Sequence, residues 1–146
     1  MNKLYENEMK LEFLSKSNNE AFARITVAAF ASQLDPTIEE LADIKTAVSE
    51  AVTNAIIHGY EEDETKFVHM RCELIENTIK VVVEDYGKGI EDIEEAKQPM
   101  FTSKPELERS GMGFSFMESF MDDMQVASIV GEGTKVIMTK TIEIPK

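Results

Sequence analysis

The stretch Ser49-Glu50-Ala51-Val52-Thr53-Asn54-Ala55-Ile56-Ile57-His58-Gly59 constrains this chain more than any other. At 3.6 residues per turn, Ile44, Val48, Ala51, Val52 and Ala55 form one apolar stripe, and Gly59 is a natural terminator. Glu50, Asn54 and His58, spaced i, i+4, i+8, form a polar line along the edge of that stripe. Three polar groups at a core margin need partners, because burying one unpaired costs ~1–3 kcal/mol. A bound ion or ligand satisfies them, and so does a solvated helix edge. The eleven residues alone leave both readings open.

Three further elements lie downstream. Asp85-Tyr86-Gly87-Lys88-Gly89 follows a strand-like run, Gly111-Met112-Gly113 opens a helix-like segment, and Gly131-Glu132-Gly133-Thr134 joins two strand-like runs. A glycine pair alone is weak evidence. The four elements together, in this order, resemble the N, G1, G2 and G3 boxes of the GHKL superfamily of ATP-binding domains over nearly the whole chain. Ser49 to Tyr60 and Gln98 to Gly113 narrow the resemblance to sporulation anti-sigma factors that are also serine protein kinases.

The rest of the chain gives the frame. The 146 residues fit one domain, 1–146, of ordinary size. The N-terminus has no apolar segment of the kind that directs secretion, and no run approaches the ~20 apolar residues that span a membrane. These features and the single cysteine point to the cytoplasm. Cys72 alternates with Val68, Met70 and Leu74, which predicts a buried strand thiol. The net charge of −13 disfavours nucleic acid, whose phosphates need Lys and Arg, and favours a protein partner.

Met9, Leu11 and Phe13 alternate with charges, predicting a strand. Ser17 and Glu20 read as a capping box opening a helix over 18–34. Phe22, Ile25, Ala29 and Phe30 are expected to cover the core, leaving Val27, Ala28 and Ala31 on an apolar outer face near Glu20 and Arg24. Thr37 and Glu40 read as a second capping box, opening the helix of Glu50. Strands are expected over 67–76 and 78–84, with a turn at Glu76-Asn77, and over 124–130 and 134–144. Residues 90–110 lack a sustained period and read as a lid. Phe114, Met117, Phe120 and Met121 mark a third helix. The order β-α-α-β-β-lid-α-β-β predicts an α+β fold, a two-layer sandwich with a mixed, mostly antiparallel sheet and helices on one face. The resemblance implies the same GHKL (Bergerat) architecture, with ATP between the helices and the lid.

Asp85 falls in phase with Ile79, Val81 and Val83, so it points inward and must accept hydrogen bonds. A cap on the Gly87–Gly89 turn meets that need, and so does the exocyclic amine of adenine, which the resemblance implies. Gly87 and Gly89 are expected to allow close approach and positive φ. An amide oxygen such as that of Asn54 suits Mg2+, which keeps water and phosphate oxygens for its other ligands. The resemblance implies that role for Asn54, with His58 at the site's edge. Gly111, Met112 and Gly113 at a helix start suit phosphate, with Lys104, Arg109 and Ser110 from the lid and Thr134 closing the adenine pocket.

Glu50 is placed to accept a proton from an attacking hydroxyl. Histidine kinases of the superfamily usually carry Asn there and need an upstream phosphoacceptor His. No His occurs in the 36 residues before the second capping box. The resemblance implies a homodimer that inhibits a sporulation sigma factor, sigma F, and phosphorylates its anti-anti-sigma antagonist on serine. Glu20 and Arg24 are the implied partner contacts. Two other readings are a nucleotide-gated binding protein without transferase activity and an ATPase switch. The switch is disfavoured because gyrase- and Hsp90-like proteins attach a transducer domain for which no residues remain.

Overall fold

The computed structural model describes residues 6–91 and 113–143, with the side chains of 113–116 left aside. All of the expected lid but Ile90 and Glu91 therefore lies outside the described residues. Five strands form one sheet: β1 (Asn7–Leu14), β2 (Phe67–Ile75), β3 (Thr78–Asp85), β4 (Asp123–Ile129) and β5 (Gly133–Thr141). Their spatial order is β1-β2-β3-β5-β4. A mixed sheet was expected, but all four pairings are antiparallel. The β2–β3 turn falls at Glu76-Asn77, with Glu76 at φ 54°.

Three helices cover one face of the sheet: α1 (Asn18–Ala31), α2 (Ile38–Asn54) and α3 (Gly113–Phe120), with α2 packed between the other two. The α2 start has the expected capping box. Glu40 N–H donates to Thr37 Oγ1 at 3.0 Å, and Thr37 N–H donates to Glu40 Oε1 at 2.9 Å. Its apolar stripe is buried as the helical period requires, with Ile44, Val48, Ala51, Val52 and Ala55 all in the core. Against them lie Val68, Met70, Cys72, Ile79, Val81, Val83, Val136 and Met138. Each buried Val, Ile or Met among them contributes roughly 1.5–3 kcal/mol.

Two expectations for α1 fail. Ser17 adopts helical angles (φ −52°, ψ −36°) and its side chain makes no cap hydrogen bond. Glu20 instead accepts from Arg24 Nε at 3.1 Å. The faces are also reversed. Ala23, Val27 and Ala31 are fully buried, while Phe22 and Ile25 are 53% and 62% exposed and Ala29 is exposed. Only Phe30 among the expected core residues packs on the core, half-buried. Small side chains line the buried face because α1 lies close against α2, where Phe or Ile would not fit. Asp35, at φ 58°, ends the short 3-10 turn Ser32–Leu34 before Pro36 and sets the corner into α2.

Candidate functional site

Glu50 and Asn54 lie one turn apart at the end of α2, both half-buried. Glu50 Oε2 is shielded from solvent. Beyond Asn54 the helix widens into a π turn, Ala55–Gly59, closed by Tyr60 N–H donating to Ala55 C=O at 2.9 Å. Such turns are rare and recur at functional sites. His58 lies within this wider turn and is half-buried, so the helical spacing that links it to Glu50 and Asn54 does not hold through the turn.

The π turn delivers Gly59 to the end of β3. A Cβ on Gly59 would meet the Asp85 carboxylate at 2.5 Å, and one on Gly87 would overlap the Gly59 carbonyl. Lys88 N–H donates to that same carbonyl at 3.0 Å. Asp85 is 5% exposed and faces inward, as its strand phase predicts. Gly87 N–H donates to its Oδ1 at 2.9 Å, so the carboxylate also caps the glycine turn. Burial pushes the Asp85 carboxyl up to about 6, against the pull of the Gly87 and Thr134 N–H groups. Thr134, the cross-strand partner of Asp85, is buried, with Oγ1 2.8 Å from Ser128 Oγ.

The two glycines of the turn do different work. Gly87 does not have positive φ, contrary to expectation, and is required for space alone. Gly89 has φ 79° and backs onto the Ile129 carbonyl of β4 rather than onto Asp85. Gly113 begins α3. The other expected phosphate contacts, Lys104, Arg109, Ser110, Gly111 and Met112, lie outside the described residues.

Two structural supports of the site escaped the sequence reading. Tyr60 Oη donates to Phe67 C=O at 2.6 Å and accepts from Tyr86 N–H at 2.8 Å, tying the π turn to the glycine turn. Ser128 Oγ accepts from Ile90 N–H at 2.8 Å, linking that turn to the β4–β5 hairpin. Ser128 shares the inward phase of Met124 and Val126, a legible signal; nothing in the spacing around Tyr60 marks its bonds.

Arg24 of α1 joins Ala42, Lys45, Thr46, Ser49 and Glu50 of α2 around an open groove of about 260 Å3. Arg24 is paired with Glu20 as expected for residues one turn apart. Its expected small apolar surroundings, Val27 and Ala31, are in the core instead. Among the described residues, no group of three or more His, Cys, Asp or Glu is arranged to hold a metal ion. No helix among them is long and apolar enough to cross a membrane.

A helix-covered antiparallel sheet with an inward Asp at a glycine turn, beside a Glu/Asn helix end, defines the class of a GHKL-type nucleotide-binding domain. Residues 15–140 match the family model of the histidine kinase-like ATPase domain. Among curated relatives, the anti-sigma F factor of Clostridium perfringens (strain SM101) is 64% identical over 135 residues, 92% of this chain and 96% of the relative. That of Clostridium novyi is 59% identical over 137 residues, 94% and 96% of the two chains. The solved RsbU and RsbW domains of Rv1364c from Mycobacterium tuberculosis superpose with a TM-score of 0.69 at 18% identity. That match covers 95% of this chain but only 33% of the solved one, and it speaks to fold alone. The chain belongs to the anti-sigma F factor family, within the histidine kinase-like ATPase domains.

Proposed function

We propose that this protein binds and inhibits a sporulation sigma factor, sigma F, and that as an MgATP-dependent serine kinase it phosphorylates the anti-anti-sigma antagonist. The observation that carries the nucleotide part is Asp85. A carboxylate 5% exposed, pushed up to about 6 and walled by glycines that admit no Cβ, fits a flat base that donates a hydrogen bond. The named relatives support the anti-sigma part.

In this reading Asp85 accepts from the adenine amine, and Thr134 closes the pocket beside it. Gly87 and Gly89 shape the turn, and His58 borders the site. Asn54 supplies one oxygen to Mg2+. Gly111, Met112 and Gly113 hold phosphate with Lys104, Arg109 and Ser110. MgATP, when bound, supplies the transferable phosphoryl group and the cation that offsets its charge. Glu50 accepts the proton that the acceptor serine hydroxyl gives up. Positioning and charge neutralisation carry more of the rate than this base does. Glu20 and Arg24 contact the protein partners, and the functional unit is a homodimer.

Incubating the protein with labelled ATP, the sigma factor and the antagonist tests the reading. Label on an antagonist serine, with sigma held in MgATP, is the expected result. Binding without label would leave a nucleotide-gated inhibitor and remove the kinase.

A further inference from the structure

The groove between α1 and α2 joins features that the preceding reading treats separately. Arg24 forms one wall, and Lys45, Ser49 and Glu50 come from α2. The proposed proton acceptor and the proposed partner contact thus open onto one space. Lys45 is half-buried and makes no ion pair among the described residues. An uncommitted, partly desolvated ammonium is unusual in a chain with 28 acidic and 15 basic residues. Arg24 uses its Nε on Glu20, at 3.1 Å. Thr46 turns its hydroxyl onto its own helix, donating to Ala42 C=O at 2.9 Å, and so leaves the groove to the cations, Ser49 and Glu50.

The charge order along the groove has a direction. Glu50 repels a carboxylate at its own end but accepts a hydroxyl proton. Lys45, more than one turn earlier on α2, attracts a carboxylate. A segment that fits presents a serine hydroxyl to Glu50 and an acidic side chain to Lys45. We propose that the α1–α2 groove admits the acceptor-serine segment of the protein substrate, and that Lys45 is a specificity-determining residue that pairs with an acidic side chain flanking that serine. The proposal rests on the kinase reading and names how its substrate is chosen.

The test is steady-state phosphorylation of the anti-anti-sigma antagonist by the parent, Lys45→Glu and Lys45→Arg, varying antagonist and MgATP separately. Lys45→Glu should raise KM for the antagonist roughly tenfold or more, as reversing a charge at a protein contact does. KM for MgATP should stay within twofold, since Lys45 is not among the proposed nucleotide contacts, and kcat at saturating antagonist should fall much less than kcat/KM for the antagonist. Lys45→Arg should stay near the parent, and exchanging the flanking acid of the antagonist for Lys should rescue Lys45→Glu. An antagonist KM within twofold of the parent for Lys45→Glu, in a variant with the parent's circular dichroism, would overturn the proposal while leaving the kinase reading intact. Absence of transfer by the parent itself would overturn the kinase reading and this inference with it.

Discussion

Replacing Asp85 by Asn should stabilise the nucleotide-free domain and destroy nucleotide binding together. The carboxyl's ordinary value is 3.8, and burial pushes it to about 6. The native state holds this proton to a higher pH than the unfolded chain does. The contribution of Asp85 to folding is therefore fully present below 3.8 and is lost as pH rises through about 6. At ~1.36 kcal/mol per pH unit, a gap of roughly two units costs the fold about 3 kcal/mol at pH 7.5. Asn keeps the acceptor for Gly87 N–H and removes the charge, but its amide N–H groups must find partners beside Gly59 and Thr134. The expected gain is therefore ~1–3 kcal/mol at pH 7.5. Urea unfolding without nucleotide measures it, starting at pH 5, above the isoelectric point of about 4.5. From pH 5 to 7.5 the variant's advantage should grow by ~1–1.5 kcal/mol. Calorimetry should find no MgATP binding to the variant. A variant less stable than the parent at pH 7.5, or an advantage that ignores pH, would refute the burial argument. Undiminished ATP affinity would refute the adenine assignment.

Glu50→Gln should keep MgATP affinity and lose transfer to the antagonist by ~10²–10⁴-fold, read from single-turnover labelling; equal loss of nucleotide binding would make Glu50 a structural or metal contact. Tyr60→Phe leaves Phe67 C=O and Tyr86 N–H without their present partner, so urea unfolding should show a loss of ~1–3 kcal/mol. Cys72 is fully buried and its thiol is pushed up to about 12. Native protein at pH 8 should therefore resist a disulfide reagent and react only at the rate of unfolding; rapid labelling would show that β2 opens locally.

What the sequence made legible follows from which signals were redundant. For α2, the capping box, the apolar stripe and the terminating glycine all say the same thing, and its placement is correct to the residue at the start. The inward phase of Asp85 was equally plain, because strands alternate strictly. The π turn was invisible: its i→i+5 bonding changes the spacing that a helical wheel assumes, so a wheel does not fix the direction of His58. In α1 apolar residues surround the helix, so periodicity alone does not single out the face of Phe22, Ile25, Ala29 and Phe30 from that of Val27, Ala28 and Ala31. The contact with α2 selects Ala23, Val27 and Ala31 instead, so volume at a close helix crossing outweighed hydrophobicity.

That reversal changes the argument for Arg24. Its case as a partner contact rested on small apolar neighbours that would let another chain approach, and two of those, Val27 and Ala31, are in the core. The exposed apolar residues Phe22 and Ala29 project roughly 140–160° round α1 from Arg24, and Ile25 roughly 100°. A protein that binds through Arg24 therefore need not cover Phe22 and Ile25, and the two faces of α1 are separable by mutation. Arg24 belongs with α2, where it borders the groove that reaches Glu50. In the proposed reading, recognition at Arg24 and proton acceptance at Glu50 then open onto one groove from its two walls, and a partner held at Arg24 is held beside the residue that would take its serine proton.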